Sequence, residues 1–121
     1  MIDLKSLLDK SERKKDLKHI FSIVDGKIKV GWRALKNRSS GGGTGEGQGL
    51  IDEAYNIMVE LELLSNKSKG NYLLLGNNAT INPSYDGFGS PYYFTRFEDA
   101  EAYQQTFHRN AQFTIKPFIG M

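Results

Sequence analysis

The sequence predicts an α+β fold: a mainly antiparallel sheet of about four to five strands with helices on one face, in the order α(α)-β-α-β-β-β-α-β. Three observations carry this expectation. Leu50, Ile51, Ala54, Tyr55, Ile57, Met58, Leu61 and Leu64 make the strongest helical period in the chain, over residues 49–64, as wide as a central core helix requires. "NYLLLG" and "ATIN", joined through Gly76-Asn77-Asn78, read as a hairpin, which is an antiparallel pairing. Helical and strand-like stretches do not alternate regularly, as parallel βαβ units would require. A chain of 121 residues is expected to be a single domain, 1–121.

Residues 3–24 read as helix in two pieces. Leu4, Leu7 and Leu8 form one apolar patch, and Leu17, Ile20, Phe21 and Val24 another, spaced i, i+3, i+4, i+7. The polar run DKSERKKD separates them, and Asp9 with Glu12 has capping-box spacing for the second piece. Asp25-Gly26 reads as the helix stop. "KIKVGWRAL" alternates: Ile28, Val30, Trp32 and Ala34 face one way, and Lys27, Lys29 and Arg33 the other. That is the pattern of a half-buried strand. A glycine-rich stretch follows, then the core helix, the turn "SNKSKG" and the hairpin. "PSYDGFGSP" reads as a loop and "YYFTRF" as a short strand. Thr95 and Glu98 have capping-box spacing for a helix at about 96–108, with Phe97, Ala100, Tyr103, Gln104 and Phe107 along or beside one stripe. "AQFTIKPFI" alternates again, with Pro117 at an edge or at its end.

Composition excludes several classes. The chain has no cysteine, hence no disulfide, thiolate metal site or cysteine nucleophile. Nothing in MIDLKSLLDKSERKK resembles the apolar segment of a signal peptide. No run approaches the roughly 18 apolar residues of a membrane span. A cytoplasmic protein, with no membrane role, is expected. The net charge of +2 is unevenly spread. Residues 1–38 carry 11 Lys and Arg against 5 Asp and Glu, and the remainder 5 against 9. Charge asymmetry of this kind bears on partners.

Six of the nine residues from Gly41 to Gly49 are glycine. No frame satisfies G-x-G-x-x-G, and no Lys-Ser/Thr follows as in a Walker A loop. Gly41, Gly42, Gly43, Thr44, Gly45, Glu46 and Gly47 resemble the signature loop of the tubulin and bacterial cell-division GTPase superfamily. In that family, such a loop implies backbone N–H groups wrapped around phosphates ahead of a helix. The resemblance covers those seven residues, Glu46 stands where a small residue is expected, and the family is not adopted. Glu46, Asp52 and Glu53 near the helix start oppose an anion there. The expectation for 39–49 is a flexible loop that becomes ordered, if it acts, against a partner.

Two further features are candidate binding surfaces. Lys27, Lys29 and Arg33 lie on the predicted strand, with Lys36 and Arg38 beyond it, and the predicted helix before it carries Lys10, Lys14 and Lys18 at i, i+4, i+8; if the two elements are adjacent, they form one basic surface. One basic surface of this kind suits phosphates or an acidic protein. Tyr85 and Phe88 lie on the "PSYDGFGSP" loop among clustered aromatics, and stacking platforms and interface anchors favour aromatics on loops. His19 and His108 are the only histidines; without a partnered nucleophile or ligand-like spacing they make a weak case for catalysis or a metal.

The expectation is a small non-enzymatic binding protein that occupies a macromolecular partner, as an inhibitor or adaptor of the phage or mobile-element type, without cofactor or metal. A protein is the expected partner. The alternative is a nucleic-acid or nucleotide-binding domain using residues 27–38 and the glycine-rich loop. A weaker third reading is an enzyme built around His108.

Overall fold

Residues 1–121, read from the sequence as one domain, divide in the computed structural model into two compact units, Met1–Leu61 and Glu62–Met121. The described residues are 3–39, 45–65, 72–76, 79–81, 92–107 and 114–117.

The first unit runs α1 (Leu4–Asp9), α2 (Lys14–Ile20), β1 (Phe21–Val24), β2 (Lys27–Val30), α3 (Trp32–Ser39) and α4 (Gly45–Glu60). Asp3 caps α1, its carboxylate accepting from the Ser6 N–H at 2.8 Å, which satisfies one of the unpaired N–H groups of the first turn. The expected Asp9–Glu12 capping box is not used. Arg13 occupies the cap position of α2 without a side-chain hydrogen bond to the helix start, and Asp9 instead meets Lys14 at 2.6 Å.

The helix expected to reach residue 24 ends at Ile20, and Phe21–Val24 is a strand. Asp25 and Gly26 both take positive φ, 53° and 76°, the conformation of a two-residue type I′ hairpin turn. That turn pairs Val24 with Lys27 and Phe21 with Val30. The dipeptide read as a helix stop is therefore a hairpin tip. Val24, the last member of the apparent helical period, is half exposed rather than core.

The strand expected to continue through Ala34 stops at Val30. The Gly31 N–H donates to the Ile20 carbonyl at 2.6 Å, and the Gly31 carbonyl accepts from the Leu35 N–H at 3.0 Å. Gly31 thus ties the hairpin base to α2 and opens α3. A Cβ there would lie 3.1 Å from the Ile20 oxygen. From Gly31 on the operative spacing is helical: Trp32 and Leu35 are buried, three apart.

The expected 39–49 loop is helical at both ends. Ser39 closes α3, while residues 45–49 open α4; residues 40–44 lie outside the described set. Each interior glycine costs a helix about 1 kcal/mol, so local preference alone does not make this turn. The turns that follow bury Leu50, Ala54, Tyr55, Ile57 and Met58, and Gln48 reaches Asp52 at 2.8 Å. Burial of about 1.5–3 kcal/mol per large apolar side chain outweighs the glycine cost. Trp32 and Tyr55 meet across α3 and α4, with ring centroids 6.4 Å apart. Leu17, Ile20, Phe21, Val30 and Leu35 complete this core.

The second unit holds β3 (Leu64–Ser65), β4 (Tyr72–Gly76), β5 (Ala79–Ile81), β6 (Tyr93–Phe94), α5 (Phe97–Phe107) and β7 (Thr114–Pro117). Glu62, with φ 60°, leaves α4, so Leu64 belongs to a strand rather than to the helix expected to reach it. The β4–β5 hairpin matches expectation, with Gly76 opposite Ala79. β6 pairs antiparallel with both β3 and β4, and β7 pairs antiparallel with β4. The strands do not form the one sheet that was expected. They separate into an antiparallel pair in the first unit and a second antiparallel sheet here.

α5 packs against β4, β6 and β7. It opens at Phe97, near the expected start. The Thr95 hydroxyl donates to the Glu62 carbonyl at 2.7 Å, and the Thr95 N–H to the Leu63 carbonyl at 3.0 Å. Arg96 Nε meets the buried Asp99 carboxylate at 2.7 Å. That pairing meets the requirement that a buried carboxylate have a charged or hydrogen-bonding partner.

Candidate functional site

The basic residues predicted to share one surface are divided by the fold. Lys10 caps the C-terminal end of α1 and Lys14 starts α2, so the i, i+4, i+8 row of Lys10, Lys14 and Lys18 is broken after Lys10. Lys27 and Lys29 are exposed on β2, as expected, but Arg33 lies on α3 and leaves their strand face. Lys36 and Arg38 occupy the last turn of α3, where cations suit the helix dipole. Arg38 is engaged by Asp16 of α2 at 2.8 Å. Lys5, Lys10, Lys15, Lys18, Lys27, Lys29 and Arg33 have no ion-pair partner among the described residues.

The hairpin register sorts two of these groups. Partners directly opposite in an antiparallel pair share a face. Phe21, Ile23, Ile28 and Val30 therefore lie on one face, and Ser22, Val24, Lys27 and Lys29 on the other. Phe21 and Val30 are buried at the hairpin base, while Ile23 is 64% and Val24 50% exposed near the tip. The tip presents an apolar residue on each face.

Ile23 lines a cavity of about 230 Å³ with Leu4, Lys5, Leu8 and Asp9 of α1 and Lys14 and Lys18 of α2. Leu4 and Leu8 recur at i, i+4 and form its floor, and both are buried. Lys14 and Lys18, also four apart, stand on one side of α2 at its rim. The Asp9 carboxyl is held below the ordinary aspartate value, first by its hydrogen bond from Lys14 and then by the charges of Lys14, Lys5 and Lys18. Because the folded-state value is depressed, the Asp9–Lys14 contact is fully present above the unfolded pKa. It is lost as pH falls through the lower folded value. An NMR titration of Asp9 is expected to give a midpoint below that of an unperturbed aspartate, and Lys14→Gln is expected to move it up. An Asp9 midpoint unchanged by Lys14→Gln would contradict this assignment.

Of the three acids expected at the N-terminus of α4, Glu46 lies in its first turn, whereas Asp52 and Glu53 lie further along the helix. Glu53 lies in the third turn, where Arg13 Nη1 meets it at 2.8 Å and the Ser11 hydroxyl donates to its other oxygen. Asp52 accepts from Gln48. Gly49 makes room for this arrangement: a Cβ there would fall 2.5 Å from Arg13 Nη2. Gly45 is the first residue of α4, whereas Gly41, Gly42, Gly43, Thr44, Tyr85, Phe88 and His108 lie outside the described residues. His19 is exposed in the last turn of α2.

Sequence reasoning named Lys14 and Lys18 but not Lys5, Asp9 or Ile23 as site residues. The signal available for Ile23 was the Asp-Gly dipeptide flanked by FSIV and KIKV, a strong short-range hairpin pattern. Among the described residues no group of three or more His, Cys, Asp and Glu could hold a metal ion, and no helix is long and apolar enough to cross a membrane. Comparison with protein-family models, curated proteins and solved structures finds no match.

Proposed function

We propose that this is a small non-enzymatic binding protein that occupies a macromolecular partner, an inhibitor or adaptor whose first unit makes the contact. The observation that carries this reading is the β1–β2 hairpin. A two-stranded hairpin is marginal in water on its own, and this one exposes Ile23 and Val24 on opposite faces, beside Lys27 and Lys29, which have no ion-pair partner among the described residues. Docking against another macromolecule would bury those apolar groups and give the lysines acidic neighbours. A cytoplasmic setting and a role in a phage or mobile element belong to the same proposal.

Affinity capture from the organism that encodes the chain, at near-physiological salt, is expected to recover a stoichiometric protein partner. The partner should be lost with Ile23→Asp/Val24→Asp. Recovery of no stoichiometric partner would overturn the reading.

Nucleic-acid binding through Lys27, Lys29 and Arg33 is the second reading, favoured by their exposure without ion pairs among the described residues. It has a distinct signature. Three phosphate contacts on duplex DNA give a slope of log K against log salt of about −2.7, at about −0.9 each. Absence of binding to DNA, RNA and nucleotides at low salt would remove it.

A further inference from the structure

The geometry points to the groove between α1, α2 and β1 as the docking site for an acidic, amphipathic helical segment of a partner protein. This rests on the protein-binding reading above and names the chemistry of what the first unit holds. The floor is apolar, built from Leu4, Leu8 and Ile23. Lys5, Lys14 and Lys18 stand over it, and Asp9 is the one acid among the lining residues, leaving an excess of two positive charges at the rim. The Asp9–Lys14 pair is about two-fifths exposed on both sides. A pair so exposed is screened by water and holds weakly, so an incoming carboxylate can compete for Lys14. Lys5 and Lys18 have no ion-pair partner among the described residues to compete with.

Size narrows the occupant. Pockets that enclose a drug-sized molecule run from about 300 to 1,000 Å³. A cavity of about 230 Å³ suits one or two inserted side chains from a larger body. A helix with apolar residues at i and i+3 or i+4 supplies such anchors, and Asp or Glu beside them would meet the lysines. A phosphate backbone matches the rim but offers nothing apolar to the floor. For that reason a protein segment is favoured over a nucleic acid. Ile23 is the open part of that floor: it lies near the hairpin tip, is mostly exposed, and would be covered by the incoming helix.

A display library of randomised 16-residue peptides selected on the full chain tests this directly. Enriched sequences are expected to combine i, i+3/i+4 apolar pairs with Asp or Glu. Their affinity should fall by about tenfold or more in Lys5→Glu/Lys18→Glu, because a rim of the wrong sign repels them. Both lysines are exposed, so the fold should survive, as circular dichroism can confirm. Lys15→Gln, at an exposed lysine of α2 that does not line the groove, is expected to leave peptide affinity within about twofold. Three outcomes overturn the inference. One is enrichment of basic or uncharged peptides, or no enrichment. Another is binding indifferent to Lys5→Glu/Lys18→Glu. The last is stronger retention of duplex DNA or of phosphatidylserine vesicles through the same lysines. A captured partner that is lost with Ile23→Asp/Val24→Asp but kept by Lys5→Glu/Lys18→Glu would sink the groove while leaving the binding function standing.

Discussion

Leu35→Ala is expected to lower the stability of the first unit by about 3 kcal/mol, within the range for fully buried leucines. Leu35 is completely buried in α3, a helix that packs against both α2 and α4. Its removal would open a cavity where three helices meet, and the loss combines the transfer term with the void left behind. A unit of this length has a total stability of only roughly 3–9 kcal/mol, so one such cavity takes a large share of it. Trp32, the sole tryptophan, lies three residues earlier on the same helix and is buried against Tyr55. Its fluorescence therefore reports on this core. Urea titration followed by Trp32 emission is expected to show a midpoint shifted well down with little change in slope. A shift below about 1 kcal/mol, the size expected at the surface, would mean that Leu35 is not packed as described.

Phe94→Ala is expected to have the largest effect in the second unit, about 4 kcal/mol. Phe94 is fully buried, and its ring lies 5.4 Å from that of Tyr103 on α5. It also sits at the pairing centre: its backbone faces Leu64 of β3 and Tyr72 of β4. β6 is two residues long, so few ladder hydrogen bonds hold it. The phenylalanine side chain anchors the strand between its neighbours. Loss of the ring should speed amide exchange in β3 and β6 together, with a lowered thermal midpoint. Phe94→Leu, which keeps most of the volume, should recover most of the stability. Phe97→Ala is the contrasting surface change, since Phe97 is 46% exposed. It is expected to cost far less. If Phe94→Ala and Phe97→Ala proved equal, the assigned core would be wrong.

Several elements were legible because their signals are local. The apolar period of Leu50, Ala54, Ile57 and Met58 marked α4. The glycine and asparagines between "NYLLLG" and "ATIN" marked β4–β5, and the Phe97–Phe107 stripe marked α5 within a residue or so. Misreadings arose where two local patterns fit the same residues. Leu17, Ile20, Phe21 and Val24 satisfy a helical period, yet Phe21–Val24 is a strand. The Asp25-Gly26 turn, with positive φ at both residues, lets it pair with β2, and that pairing sets Phe21 and Val30 together in the core. Trp32 fits both the alternation of β2 and the i, i+3 pair with Leu35. The hydrogen bond from Gly31 to Ile20 decides for the helix, and it joins residues that no short window contains.

The candidate site divides in the same way. That the N-terminal third is basic, and that Lys14 and Lys18 share a helix face, follows from residue order alone, because helical spacing is a property of the chain. Which lysines act together was decided by tertiary structure. The break between α1 and α2 removed Lys10 from the row. The start of α3 separated Arg33 from Lys27 and Lys29, and the hairpin register put Ile23 and the two β2 lysines on opposite faces. Packing of α1 against α2 then brought Lys5, Leu4 and Leu8 beside Lys14 and Lys18. Composition and period determined how much charge and apolar surface this protein has. Only long-range pairing and packing decided which of those groups face one another, since a groove is formed by residues the sequence keeps apart.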